Sequence, residues 1–142
     1  MREIKFRAWI KKAKKMVPVT EILFDFNKKN IFRCTPKFGF DDAEDSYAVL
    51  MQFTGLLDKN GKEICEGDIV EWVTWNEYFS KDGEPMEPFR RKMIVVFRNG
   101  AFQMKEKLPI PLTPNYWDIF YDGDIEIIGN VYENPELLEE EN

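Results

Sequence analysis

Residues 53–70, FTGLLDKNGKEICEGDIV, combine two chain reversals with a β-strand directly after them. The tetrad 58–61 (DKNG) predicts a tight turn, because Asn-Gly adopts the positive φ of two-residue hairpin turns at little steric cost. Residues 66–68 (EGD) predict a second reversal with glycine at the bend. Residues 69–73 are rich in β-branched and aromatic side chains, which is typical of a strand. The stretch therefore favours a small, tightly coiled β-domain and assigns its glycines to turns.

The N-terminal part of the chain predicts further strands. Apolar and polar residues alternate over 4–11, which indicates a half-buried strand. Residues 11–15 form a polar reversal, and 16–19 return, with Pro18 on a sheet edge or at a bulge. Short strands are expected at 21–26, 30–34 and 47–53.

The C-terminal part predicts one hairpin, an extended segment, a strand and a helix. Residues 93–97 and 101–104 flank Asn99-Gly100, a clear hairpin signal. Three prolines make 108–118 an extended connection. Residues 124–132 form a strand with a bulge at Gly129. Asn134 is expected to cap a short helix over 135–141 that begins with proline.

These elements predict a mainly β fold. We expect an SH3-like β-barrel of about five strands over residues 50–133, with a long loop at 74–92 and a short C-terminal helix. Residues 1–49 form an additional N-terminal β-hairpin layer, and 50–142 form the barrel domain. The alternative is one continuous barrel that incorporates the first hairpin.

Composition argues against most catalytic chemistry. The chain of 142 residues has no histidine and only two cysteines, which removes the usual Ser/Cys–His pairs and disfavours zinc. The apolar runs are too short for a transmembrane helix. We therefore expect a cytoplasmic protein with free thiols at Cys34 and Cys65, which is not an enzyme and has no cofactor or metal site.

Two acidic clusters are the candidates for a metal or acid–base site. Residues 41–45 lack the oxygen spacing of a calcium loop and are interpreted as a solvated loop. The second cluster lies beside predicted strands, but its Asp-Gly-Asp sequence is ordinary turn chemistry. Its members are Asp118, Asp122, Asp124 and Glu126.

Charge is distributed unevenly along the chain. Residues 1–37 hold 11 Lys and Arg against 3 Asp and Glu, whereas residues 38–142 hold 9 against 23. A basic N-terminal segment followed by an acidic remainder is compatible with nucleic-acid binding by the basic segment. It is equally compatible with contact between that segment and an acidic protein surface. The candidate contact residues are Lys5, Arg7, Trp9, Lys11, Lys12, Lys14, Lys15, Arg90 and Arg91.

Two functional hypotheses follow, and a third, an enzyme, is disfavoured because the chain has no histidine and no nucleophile motif. The first is a non-enzymatic interaction module that binds another protein and forms a homo-oligomer through contact between the basic N-terminal segment of one copy and the acidic remainder of another. The second is nucleic-acid binding through the basic N-terminal hairpin, with Arg90 and Arg91 beside aromatic residues of the 74–92 loop. No membrane partner is expected.

Three segments also carry a family resemblance. They are MREIKFRAW (1–9), LMQFTGLLDKNGKEICEGDIV (50–70) and DIEIIGNVYENPELLEE (124–140), in that order and almost from end to end. In this combination the chain resembles the YopX family of phage and prophage proteins. The resemblance implies a small, mostly β, intracellular protein encoded by a phage or an integrated prophage, and it makes a host or phage protein the expected partner. It implies no biochemical activity and supplies no catalytic or binding residues.

Overall fold

The computed structural model describes residues 2–23, 31–34, 48–74, 89–106, 116–119 and 124–139. These residues form ten strands, whose pairings are antiparallel, and one short 3-10 helix, so the predicted mainly β fold is confirmed. The strands are β1 (Phe6–Ile10), β2 (Lys15–Leu23), β3 (Ile31–Cys34), β4 (Ala48–Leu57), β5 (Glu63–Cys65), β6 (Asp68–Thr74), β7 (Phe89–Arg98), β8 (Ala101–Glu106), β9 (Tyr116–Asp118) and β10 (Asp124–Asn130).

The chain divides into two compact units, Met1–Gly55 and Leu56–Asn142. In the first unit the strands are ordered β3-β2-β1-β4. Strand β4 continues beyond Gly55 into the second unit and forms a hairpin with β5. The other sheet has the order β10-β6-β7-β8-β9. The predicted division into a layer over residues 1–49 and a domain over residues 50–142 stays a prediction.

The first unit is built on the predicted period-two pattern of β1. Ala8 and Ile10 are buried together with Val17 and Ala48, while Trp9 between Ala8 and Ile10 is only half-buried. Strand β2 is longer than predicted and passes through residue 20 without a break. Its pairing with β3 shifts register between Val19 and Glu21, close to Pro18, where a bulge was expected.

The second unit encloses the larger core. Strands β5 to β8 and β10 all contribute fully or nearly fully buried side chains. They are Ile64, Val70, Trp72, Met93, Val95, Met104 and Ile125, with Ile119 after β9. The Trp72 and Trp117 rings pack with their centroids 5.5 Å apart. Burial of this apolar surface is the main stabilising contribution to the unit.

Two turns show how glycine and asparagine position the hairpins. Asn99 and Gly100 have φ of 53° and 77°, which is the conformation of a two-residue turn and confirms the predicted β7–β8 hairpin. At the β4–β5 turn Gly61 has φ of 81°, and its N–H donates to the Asp58 carbonyl at 3.0 Å. Among the described non-glycine residues positive φ occurs only at Lys14 and Asn99. The β4–β5 turn is therefore not the predicted two-residue type.

The strand order contradicts the predicted closed barrel. Within the described ranges no pairing joins β10 to β9, so both are edges of an open sheet. Strand β9 has only three residues, and the outer side of β10 is occupied by the β4–β5 turn. An SH3-like arrangement stays a prediction.

The predicted 74–92 loop is shorter at both ends, because Thr74 ends β6 and Phe89 begins β7. The range 75–88, the acidic loop at 41–45, Asp122 and most of the proline-rich connection lie outside the described residues. Strand β9, at the end of that connection, was not predicted. In the described part of the chain, no helix has the length and apolar character that a membrane crossing requires.

The predicted C-terminal helix is a single 3-10 turn, Pro135–Leu138, with proline in its first turn. Asn134 does not cap it through its side chain. The Asn134 Oδ1 atom instead accepts a hydrogen bond from the Asn130 N–H at 3.3 Å. This side chain therefore holds the turn against the end of β10, where the register shifts between Ile127 and Gly129.

Gly129 is where this segment packs against β10 most closely. A Cβ atom at this position would lie 2.6 Å from Asn134 Oδ1 and 2.8 Å from Leu137 Cδ1. We expect Gly129→Ala to lower the free energy of unfolding by about 1–3 kcal/mol, because the added methyl group overpacks the contact. Urea denaturation measures this loss. In a Leu137→Ala background the loss should be smaller, and an equal loss in both backgrounds would contradict the steric explanation.

Candidate functional site

The β1–β2 hairpin presents a cluster of lysines at its turn. Residues 11–14 form the turn, and Ile10 pairs with Lys15 to close it. Lys14 adopts φ of 51°, which turns the chain sharply without glycine. The lysine tip, as we name it, consists of exposed side chains only: Lys11, Lys12, Lys14 and Lys15. The buried residues of β1 and β2 fix this tip on a sheet and not on a loose terminus.

Most of the charge of the lysine tip is unpaired within the described ranges. Within the part of the chain that the structure describes, Lys11, Lys12 and Lys14 form no ion pair. Lys15 already has an interaction partner. Like charges at such close spacing repel one another, so an acidic surface that meets the tip relieves this repulsion.

The three other N-terminal candidates do not extend the tip into a continuous basic surface. Lys5 forms an ion pair with Glu3 at 2.9 Å and lies 5.5 Å from the centre of the Phe53 ring. Arg7 and Trp9 are half-buried on β1. Their cross-strand neighbours on β4 are Met51 and Val49, so this face of the strand is largely apolar.

Arg90 and Arg91 lie on β7 and already have carboxylate partners. The Arg90 guanidinium contacts Glu71 at 2.7 Å, and that of Arg91 contacts Glu106 at 3.2 Å. Arg91 also lies 5.9 Å from the centre of the Trp117 ring. Consecutive strand residues project to opposite faces, so the two arginines do not form one patch. Arg90 and Arg91 are thus each part of an ion pair within the second unit.

Sequence reasoning placed Asp58 in a tight turn and missed its contact with β10. Its side chain is 7% exposed. Atom Oδ1 accepts hydrogen bonds from the backbone N–H groups of Asn60 at 2.8 Å and Lys62 at 2.9 Å. Atom Oδ2 accepts from the N–H of Ile127 on β10 at 3.1 Å. The sequence did contain a signal for the local part of this role. An aspartate at the start of a turn often accepts a hydrogen bond from the backbone N–H two residues later.

The electrostatics of Asp58 follow from these donors. Burial by itself would raise the pKa of the carboxyl. The backbone N–H groups of Ile127, Lys62 and Asn60, with the positive charge of Lys62, outweigh burial and lower the pKa of Asp58 below its ordinary value. The charged form is therefore the one that the fold stabilises.

A second set of bonds holds the same turn to β10. The N–H of Lys59 donates to the Ile125 carbonyl at 2.9 Å. The Lys59 ammonium contacts Glu126 at 2.7 Å, and Asn60 Nδ2 donates to the same carboxylate at 3.3 Å. The hydrogen bond between the two raises the pKa of Lys59 and lowers that of Glu126. Glu126, once weighed as part of an acidic cluster, thus has two partners in the turn.

Two other buried polar residues also accept hydrogen bonds from backbone N–H groups. Asp68, 2% exposed, accepts from the Cys65 N–H at 2.8 Å. Asn130 Oδ1 accepts from the N–H groups of Tyr132 at 3.1 Å and Glu133 at 2.9 Å. Across the described ranges, no group of three or more His, Cys, Asp or Glu residues is placed to hold a metal ion. The polar residues of the sequence motifs therefore have structural roles in this fold.

Comparisons with known proteins agree with the segments singled out in the sequence. A family model described as YopX protein matches residues 5–139. The crystal structure of protein EF1440 from Enterococcus faecalis is 31% identical in sequence. The match covers 98% of this chain and 100% of that chain, with a TM-score of 0.62. Among curated proteins nothing matches this chain.

We expect Asp58→Ala to lower the free energy of unfolding by about 2–4 kcal/mol, because three backbone donors lose a charged acceptor. Asp58→Asn retains one acceptor oxygen and should have a smaller effect. Chemical denaturation of both variants measures the difference. Asp118→Ala, at an exposed position, is the control and should unfold like the wild type. Equal stability of Asp58→Ala and wild type would contradict the structural role.

The contribution of Asp58 should depend on pH. Its folded-state pKa is lowered, so the charged form stabilises the fold above the pKa of the unfolded state. This stabilisation is lost as the pH falls through the lowered folded-state pKa. In unfolding measurements between about pH 6 and about pH 2, the gap in stability between wild type and Asp58→Asn should narrow toward acid. A gap that is constant or widens toward acid would contradict the assignment.

Proposed function

We propose that this chain, which belongs to the YopX protein family, is a non-enzymatic accessory protein of a phage or prophage that acts in the host cytoplasm as a protein-interaction module. It uses no cofactor, and it forms a homo-oligomer. The observation that carries the proposal is the lysine tip, which is exposed and has three lysines without an ion pair among the described residues. Its partner is an acidic protein surface, of another protein or of a second copy.

Charge distribution supports an acidic protein partner. The chain carries a net charge of −6, yet the tip concentrates positive charge at one turn. Residues 38–142 hold 23 Asp and Glu against 9 Lys and Arg, so a second copy offers a complementary surface. Such contacts are weak singly and depend on salt, because exposed ion pairs contribute at most about 1 kcal/mol each.

The chemistry of the buried polar groups supports a non-enzymatic role. Asp58, Asp68 and Asn130 all accept backbone hydrogen bonds, so these oxygens are engaged in holding turns. The sequence has no histidine, the commonest general base. Recognition through surface charge needs neither a reactive pocket nor a metal.

Nucleic-acid binding is the alternative, and the same lysine tip is the observation that favours it. Exposed lysines form ion pairs with phosphate groups as readily as with carboxylates. Against an extended footprint, Arg90 and Arg91 are paired with Glu71 and Glu106, and Trp9 is half-buried. We therefore favour the protein partner.

The test compares two double variants that each remove two positive charges, one at the tip and one elsewhere. Lys11→Ser/Lys12→Ser removes two charges at the tip, and Arg2→Ser/Lys92→Ser removes two exposed charges elsewhere. Sedimentation equilibrium at low and high salt should show salt-sensitive self-association of the wild type. The tip variant should bind its partner copy about fivefold to thirtyfold more weakly, if each lysine contributes about 0.5–1 kcal/mol. The control variant should associate like the wild type.

Two outcomes would contradict this proposal. A wild-type monomer at every salt concentration would exclude the homo-oligomer. Equal weakening in tip and control variants would show that net charge, and not the tip, governs association. Fluorescence anisotropy with single- and double-stranded oligonucleotides decides the alternative. Salt-sensitive oligonucleotide binding that the tip variant loses, without self-association, would establish nucleic acid as the partner.

A further inference from the structure

Strand β10 is an edge strand whose outer side is covered by a turn. It pairs with β6 on one side, and among the described residues no other strand pairs with it. The side chain of Ile125 is buried and that of Ile127 packs against the core. An edge strand leaves alternate N–H and C=O groups free for pairing with another strand. Here the Ile125 carbonyl and the Ile127 N–H are both bonded to the β4–β5 turn.

The turn reproduces the hydrogen bonds that a neighbouring strand would make. A strand opposite Glu126 would donate one N–H to residue 125 and accept one N–H from residue 127. Lys59 supplies that donor at 2.9 Å, and the Asp58 carboxylate replaces the strand's carbonyl at 3.1 Å. The side chains of Lys59 and Asn60 then bind Glu126 between these two positions. Three successive residues of β10 are thus held by one turn.

We propose that residues 58–62 are a built-in cap on the outer edge of β10, and that opening this cap creates a strand-pairing surface for β10 of a second copy. The occupant follows from the symmetry of the exposed groups. In an antiparallel pair centred on Glu126, the Ile127 N–H of each copy faces the Ile125 carbonyl of the other. The same two groups therefore satisfy one another without any other residue.

Charge at Glu126 opposes this pairing and makes the cap effective. Two copies paired about Glu126 place two carboxylates directly opposite, which is destabilising. In the capped state Lys59 neutralises that carboxylate at 2.7 Å. The proposal differs from the one for the lysine tip, because it concerns another surface and because the backbone hydrogen bonds of the pairing persist in high salt.

Two variants open the cap in different ways. Asp58→Ala removes the acceptor for Ile127. Lys59→Pro removes the donor to Ile125 and the partner of Glu126. Proline suits this position, since Lys59 follows the first residue of a turn closed by the Gly61 N–H···Asp58 carbonyl bond. Folding of each variant is checked by circular dichroism, and Lys59→Pro keeps the test available if Asp58→Ala does not fold.

The experiment is sedimentation equilibrium in high salt, where contacts of the lysine tip are screened. We expect the masses of Asp58→Ala and Lys59→Pro to shift from the wild-type value toward its double as concentration rises. Adding Glu126→Gln should strengthen the shift. Adding Ile127→Pro, which removes the edge N–H, should abolish it. Lys11→Ser/Lys12→Ser in the same background should leave it unchanged.

Two results would overturn the inference. Folded uncapped variants that keep the wild-type mass at every concentration would show that the β10 edge does not recruit a second copy. A shift that survives Ile127→Pro would show that association uses another surface. Neither result bears on the lysine tip, whose association is measured at low salt with the cap intact.

Discussion

The organisation of the second unit depends on the hydrogen bonds that the Asp58 carboxylate accepts. The carboxylate binds two N–H groups of its own turn and one of β10, so a single side chain fixes a local bend and attaches it to a strand far along the chain. Hydrogen bonds to a charged acceptor are about twice as strong as neutral ones, which offsets the cost of burying the charge. Among the described strands, the same attachment occupies the edge of β10 that would otherwise be open to another strand.

The residues that give the chain its family resemblance mostly serve this architecture. Asp58, Asp68 and Asn130 satisfy backbone N–H groups at bends, and Gly129 leaves room for the final turn to approach β10. Side chains used in this way are not available for chemistry. The lysine tip is the surface that we propose for partner recognition, because three of its lysines form no ion pair among the described residues. On that proposal, structure and recognition depend on different parts of the sequence.

Local patterns predicted local structure well. The alternation along β1, the bend at Gly67 and the Asn99-Gly100 turn each depend on neighbouring residues, so the sequence sufficed. Contacts between distant residues were not predictable in this way. Nothing near Asp58 indicates that its carboxylate reaches Ile127, and nothing near Asn134 indicates that it turns back to Asn130 instead of capping a helix. The same limit explains the wrong prediction of barrel closure. Of the candidate site, the lysines are brought together by one turn, whereas the pairing of Arg90 and Arg91 depends on strand partners.

The most direct test of this account is an NMR titration that follows the side-chain carboxyl carbon of Asp58 in the folded protein. Three backbone donors aimed at a buried carboxylate predict a pKa below the ordinary value for aspartate. That result would establish that the charged side chain is bound by the turn and by β10. A pKa at or above the ordinary value would mean that burial prevails over the hydrogen bonds, and it would contradict the central role given to this residue.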